Sequence, residues 1–202
     1  AGTGVGKSAA YIAVGAALAK ARSTRLLIST STIALQSQLL EKDLPAIAAA
    51  SPEGFTFALA KGRGRYVCKD KLLRHAQVET ASQDLLDFGE EPPAPATGAA
   101  ALAQEQRVSF YRRLVDALGA GWDGDRDSWP EELEDQVWST LTTDHSQCTN
   151  RHCPNFQQCA FYKAREGMAK VDVIVTNHDM VLADLALGGG AVLPDPRETI
   201  YV

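Results

Sequence analysis

No stretch of this chain is apolar for long enough to cross a bilayer. The longest uncharged apolar run, Ala9–Ala19, falls well short of the roughly 20 residues that a membrane helix needs. Positive charge is not in excess: the formal net charge is −5, which argues against a protein that coats nucleic acid generally and still leaves room for a local basic groove. No methionine opens the sequence and no cleavable leader is recognisable, so the expectation is a cytoplasmic protein with no membrane partner. Cysteine is sparse, with only Cys68, Cys148, Cys153 and Cys159. Three of the four crowd into one short segment, and without a secretory signal such clustering points to metal rather than to disulfides. What remains is an ordinary globular composition, 45% hydrophobic and 22% charged, long enough for one large domain or for a domain carrying an insertion.

The first residues hold the strongest chemical signal. Ala1-Gly2-Thr3-Gly4-Val5-Gly6-Lys7-Ser8 is close to the phosphate-binding pattern G-x-x-x-x-G-K-[ST], and an apolar helical pattern runs on from Ser8. A polyphosphate must be approached closely by backbone N–H groups. Glycine at positions 2, 4 and 6 removes the Cβ atoms that would stand in the way and permits positive φ. The N–H groups then converge at a helix N-terminus, where the dipole favours negative charge. Lys7 is placed to reach the β/γ-phosphates and the Ser8 hydroxyl to sit on Mg2+. The alternative is a glycine-rich turn before a helix, which the Lys-Ser pair at the helix start disfavours.

Periodicity then predicts strand–helix alternation. A helix over 8–22 has apolar residues on more than one side, as in a helix covered by a sheet and its neighbours. A buried strand over Arg25–Thr30 follows, then a helix from Thr32 to Lys42, a shorter one ending near Ala50, and a strand over Phe55–Ala60. This is the pattern of a parallel sheet with helices on both faces. From Lys61 to about Lys170 helices are expected and no strand. They fall at Lys69–Gln77, after a capping box at Thr80/Gln83, at Ala101–Leu118, after a second capping box at Ser128/Glu131 running to Leu141, and at Phe156–Lys170. A Pro/Ala/Glu linker separates two of them at Gly89–Gly98. The sheet pattern returns with a buried strand over Val171–Thr176, Asn177-His178 at its end, a helix to Leu187 and a strand from Thr199. Asn177-His178 reads as a hydrogen-bonding pair at the edge where α/β sheets keep their ligands.

The expected organisation is therefore an α/β domain in two pieces, residues 1–62 and 171–202, interrupted by a helical insertion over 63–170. Cys68 opens the insertion, and Cys148, Cys153 and Cys159 close it. Four thiolates suit Zn2+ or an iron–sulfur cluster. Spacings of four and five intervening residues, with a remote fourth ligand, are less zinc-like than tight pairs, and the segment from Gln147 to Cys159 is too polar for four inert core thiols. His152 lies between two of the cysteines and is read as a neighbour of the site rather than a ligand.

Together these residues resemble a known family. Ala-Gly-Thr-Gly-Val-Gly-Lys-Ser is similar to motif I of superfamily-two helicases, where alanine in first position is normal. Lys61-Gly62-Arg63-Gly64-Arg65-Tyr66-Val67-Cys68, the three later cysteines, Val173-Ile174-Val175-Thr176-Asn177-His178 and Ala191-Val192-Leu193-Pro194-Asp195-Pro196 resemble the DinG-type, XPD-like DNA helicases across essentially the whole chain. The resemblance implies a partial RecA-like domain interrupted by an iron–sulfur insertion. It also implies a 5′→3′ DNA helicase of repair or replication using ATP and Mg2+, with a 4Fe-4S cluster on Cys68, Cys148, Cys153 and Cys159. Gly2, Thr3, Gly4, Val5, Gly6, Lys7 and Ser8 would hold the nucleotide, and Thr30–Gln38 would meet single-stranded DNA. The family's acidic DEAH-type box is expected directly after Tyr201-Val202. Without that box, or the second motor domain with its arginine finger, the chain alone is expected to bind nucleotide weakly and not to unwind DNA. Loss of a finger alone costs on the order of 10^3–10^5 in rate.

Charge is unevenly spread. Residues 61–75 carry six cations against Asp70 alone, whereas residues 79–144 carry fifteen acids against four arginines. The basic strip is expected to track a DNA backbone, with Arg63 and Arg65 on phosphates and Tyr66 stacked on a base. The acidic block is expected to face away from DNA or to serve a protein partner, with Trp122, Trp129 and Trp138 as its core anchors. The partners are then single-stranded DNA and duplex junctions. Two other readings use the same residues: an NTPase with zinc on the four cysteines, and a non-enzymatic redox or single-strand-binding module.

Overall fold

The computed structural model describes residues 6–76 and 99–202. Gly2–Val5, the Thr80/Gln83 capping box and the Gly89–Gly98 linker lie outside the described residues. Two compact units form, one from 1–62 with 164–202, the other from 63–163.

The first unit is α/β, with the parallel order expected of a RecA-like sheet. Helix α1 (Lys7–Ala21) leads into strand β1 (Arg25–Thr30). Helix α2 (Ile33–Gln38) passes through a π turn at 39–43 into α3 (Leu44–Ala50), and β2 (Phe57–Leu59) follows. The sequence suggests two separate helices here. The chain instead stays helical, because a wider turn accommodates Pro45, which lacks an N–H and would crowd the carbonyl four residues back in a regular helix. All the strands run parallel in the order β2-β3-β1-β4, with β3 at Val173–Asn177 and β4 at Thr199–Tyr201. The apolar runs of β1 and β3 sit side by side, Leu26 opposite Val173 and Leu27 opposite Ile174. They are covered on both faces, as the absence of polar alternation in these strands requires.

Helix α1 lies unusually close to the sheet. A Cβ on Gly15 would stand 2.8 Å from Leu26 Cδ1, so any larger residue there would require the buried Leu26 side chain or the helix to shift. Ile12 and Ala19 complete the buried face. Coverage on every side, suggested by the helix's low polarity, is not found among the described residues: Val14 and Leu18 face solvent.

The second unit is helical. Among the described residues it contains α4 (Lys69–Ala76), α5 (Ala99–Gly119), α6 (Asp135–Leu141) and the start of α7 (Ala160–Met168), with short 3-10 turns before α4 and between α5 and α7. Its core gathers Val67, Leu72, Tyr111, Leu114, Leu133, Trp138 and Leu141, with Trp122 and Trp129 packed against it. The tryptophans are core anchors, and Trp138 Nε1 donates to the Gly64 carbonyl at 2.7 Å. Two helix starts differ from expectation. The Ser128 hydroxyl donates to Asp123 and accepts from Trp122 Nε1. It is therefore unavailable as a cap, and α6 begins only at Asp135. Residues 156–158 form a 3-10 turn, so α7 starts after Cys159. Helix α8 (His178–Ala186) returns to the first unit after β3. No described helix is long and apolar enough to cross a membrane.

Candidate functional site

The phosphate-loop residues within the described chain sit where a ligand edge is expected. Gly6 adopts a left-handed conformation with φ 70° and precedes α1. Among the described residues no side chain caps that helix. Lys7 is exposed and Ser8 half-buried. Because α1 turns tightly into β1 and packs back on it, the two run antiparallel. The start of α1 therefore lies at the C-terminal edge of the parallel strands.

The ends of β1 and β3 meet at that same edge, where Thr30 pairs with Asn177. The Asn177 side chain caps α8 by accepting from Met180 N–H at 2.9 Å. Ser29 Oγ lies 2.5 Å from His178 Nδ1. Periodicity marked Asn177-His178 as a strand-end pair, but nothing in the sequence pointed to Ser29, 149 residues away.

In the second unit, Cys68, Cys148, Cys153 and Cys159 all line one cavity, walled by Phe156, Phe161 and Tyr162. All four are free and half-buried. Cys68 is fixed by backbone: its N–H donates to the Leu141 carbonyl at 2.7 Å, and the neighbouring Val67 N–H donates to Gly124 O at 2.9 Å. Gly124 has φ 76°, and a Cβ there would stand 2.6 Å from Ala160 Cβ and 3.1 Å from Val67 Cγ1, so another residue would press on both the start of α7 and the segment that carries Cys68. Cys148 receives hydrogen bonds from Arg63 Nη1 at 3.1 Å and from Asn150 N–H at 3.4 Å. Burial pushes the Cys159 thiol above its ordinary value; the Tyr162 and Phe161 N–H groups and Arg63 oppose this, while Cys68 beside it adds to it. Among the described residues, no group of three His, Cys, Asp or Glu side chains is arranged to hold a single metal ion.

The residues expected on DNA have other occupations. Arg63 lies over the Phe161 ring, 4.1 Å from its centroid, and donates to Cys148. Arg65 is ion-paired with Asp127. Tyr66 is only 7% exposed and packs edge-on against Phe161, so its ring offers no free face to a base. Its phenol is pushed up to about 12, first by burial and then by Asp125 and Asp123. Further along the strip, Arg74 pairs with Asp70, whereas Lys69 and Lys71 are held by the neutral amides of Gln158 and Gln147. Sequence counts these five cations alike; only the fold assigns their partners.

Comparison with known proteins agrees along the entire sequence. Aligned over 203 residues, the chain is 43% identical to the ATP-dependent DNA helicase DinG of Photobacterium profundum. It is 38% identical to that of Salmonella choleraesuis and 37% identical to that of Escherichia coli K12. The chain is DinG-like over its whole length. The match takes in 100%, 99% and 99% of this chain but 28%, 27% and 27% of those three relatives, so the DinG likeness concerns little more than a quarter of their length. No protein-family model matches the chain.

Proposed function

We propose that this chain carries the phosphate loop and the four-cysteine insertion of an ATP-dependent 5′→3′ DNA helicase, acting in the cytoplasm in DNA repair or replication on single-stranded DNA and duplex junctions. The observation that carries the reading is the convergence of Cys68 with Cys148, Cys153 and Cys159 on one cavity, in a chain that is DinG-like throughout.

The donor set suits a 4Fe-4S cluster. A single Zn2+ with Zn–S bonds of about 2.3 Å needs its sulfurs drawn to one point. Four thiols lining one cavity supply the donor set that such a cluster takes. Arg63 and the Asn150 N–H donate toward sulfur, which stabilises thiolate charge and orients Cys148. The cluster would supply a rigid cross-link between the two ends of the insertion: opening a base-pair step means overcoming stacking of roughly 1.4 kcal/mol, a task for a stiff element.

At the other site, the uncapped start of α1 would receive the phosphates of ATP, Lys7 the β/γ oxygens and Ser8 the Mg2+. For DNA, Lys69, held by the neutral amide of Gln158, is favoured over Arg65, which is ion-paired with Asp127.

Anaerobic purification tests the reading. Iron with matching acid-labile sulfide is expected, lost in Cys68→Ser, together with nucleotide binding that Lys7→Ala abolishes. Zinc without sulfide would overturn the cluster assignment, and nucleotide binding indifferent to Lys7→Ala would overturn the motor assignment.

A further inference from the structure

The helical unit carries an open groove that neither the phosphate loop nor the cysteine cavity uses. Its volume is about 730 Å3, and its walls are α5, α6 and the segment 131–134 that leads into α6. The floor is apolar. Phe110 and Tyr111 supply it from α5, and Leu133 and Val137 from the facing wall. Phe110 and Val137 are only half-buried, so the floor keeps apolar surface in contact with water. Trp129 backs Phe110 edge-on, with ring centroids 6.4 Å apart.

The rim is acidic, and its charge is not matched. Glu131 pairs with Arg113. Glu132 and Glu134 are exposed, and among the described residues their side chains make no ion pair or hydrogen bond. Arg107 also lines the groove, and it already has a partner. Of the other arginines of residues 79–144, Arg126 is held by Asp135 and Arg112 is likewise partnered. The fifteen acids of that stretch therefore stay in large excess. Residues 77–98, with Glu79, Asp84, Asp87, Glu90 and Glu91 and no cation, add to the excess rather than relieve it. Nucleic acid is repelled for the same reason. Wetted apolar surface inside a rim of one sign is complementary to a partner that is apolar and of the opposite sign.

We propose that this groove docks a basic segment of a partner protein. The segment lays an aliphatic or aromatic side chain on Phe110 and Val137 and sets lysines or arginines against Glu132 and Glu134. The assignment needs neither the motor reading nor the cluster reading.

The test follows the fluorescence anisotropy of a short labelled peptide of alternating lysine and leucine, added to the anaerobically purified chain. Lysine–serine and glutamate–leucine peptides serve as controls. The lysine–leucine peptide is expected to bind, more weakly as salt rises, and the glutamate–leucine peptide not to bind. Glu132→Lys with Glu134→Lys should weaken binding by about tenfold and flatten its salt dependence. Glu41→Lys with Glu198→Lys makes the same change of charge in the first unit and should leave affinity within about twofold. Val137→Ser should weaken the lysine–leucine peptide by about fivefold and leave the lysine–serine peptide unaffected. Circular dichroism checks that each variant is folded, and the exposed glutamates carry the test should Val137→Ser not fold. Absence of lysine–leucine binding overturns the proposal, as does an equal loss from both charge reversals, which would mean attraction to the acidic chain at large. Lysine–serine binding as tight as lysine–leucine binding overturns it too, because the apolar floor would then be idle. Self-association of the unaltered chain in sedimentation, abolished by Glu132→Lys with Glu134→Lys, would give the groove to a second copy and overturn it likewise.

Discussion

Asp184 is the most demanding polar residue in the first unit. It is fully buried in α8. Its Oδ2 accepts from Gly190 N–H at 2.9 Å, and its Oδ1 accepts from Val192 N–H at 2.5 Å and Leu193 N–H at 3.1 Å. One carboxylate therefore folds the following loop back on the helix and seats Leu193 in the core beside Leu27 and Ile174. Asp184→Asn preserves shape but replaces one acceptor oxygen with an NH2 group. Whichever way the amide turns, a donor then faces either Gly190 N–H or the Val192 and Leu193 pair. An unsatisfied buried donor costs about 1–3 kcal/mol, and the remaining bonds lose their charge assistance. The expected loss is about 3 kcal/mol. With a urea slope of about 2 kcal/mol/M, the midpoint falls by roughly 1.5 M. Circular dichroism during urea unfolding measures the shift, and hydrogen exchange should quicken first at Gly190, Val192 and Leu193. A midpoint within about 0.25 M of the unaltered chain would refute the claim that this carboxylate holds the loop.

Three further outcomes are expected. Gly15→Val should destabilise by about 3 kcal/mol, because its Cβ alone already falls 2.8 Å from Leu26 Cδ1 in a closed core; thermal unfolding checks this, and an unchanged midpoint would mean that α1 can lift from β1 at no cost. Tyr66 should ionise near 12 in an ultraviolet titration. Its folded value lies above the ordinary one, so the stability it contributes is complete below pH 10 and is lost as pH rises toward 12; Tyr66→Phe should shrink that loss, and an unaltered alkaline limb counts against the assignment. Arg63→Gln should lower iron retained per chain after anaerobic reconstitution, with Arg63→Lys intermediate because it keeps charge without the planar stack on Phe161. Equal iron in all three proteins would remove Arg63 from the support of the cysteine site.

The sheet was legible in the sequence wherever burial alone decides structure. Leu26–Ile28 and Val173–Val175 are continuous apolar runs because both faces of a parallel sheet are covered, and such runs need no knowledge of partners. The insertion was less legible because its short turns depend on who bonds whom. Ser128 and Glu131 satisfy the capping-box spacing, yet the Ser128 hydroxyl is taken by Asp123 and Trp122. Spacing likewise picked out the four cysteines, but not the reach of Arg63 across 85 residues to Cys148. The charge count of residues 61–75 was right as a count and incomplete as a field. Arg65 and Arg74 meet carboxylates from this or distant segments, whereas Lys69 and Lys71 meet amides.

The segment from 142 to 159 shows why the insertion needs more than a hydrophobic core. None of its residues is buried, and its only regular structure is two 3-10 turns of three residues each. Turns that short do not sustain themselves, and each ordered residue costs about 1–2 kcal/mol of backbone entropy. Against this stand a few polar ties. Asp144 accepts from Ser146 and Gln147, Asn155 reaches Asp70, Tyr162 donates to Asn150, and two lysines of α4 hold Gln147 and Gln158. Net contributions of about 1 kcal/mol each cover only a fraction of that ordering cost. The three cysteines of the segment and Cys68 of the preceding strip are the groups able to make up the difference, since bonds from thiolate to metal convert directly into folding free energy. On the proposed reading, then, the cysteines do more than carry a cofactor: they are the reason that a polar, coreless segment holds the one conformation in which Lys69 lines the cavity.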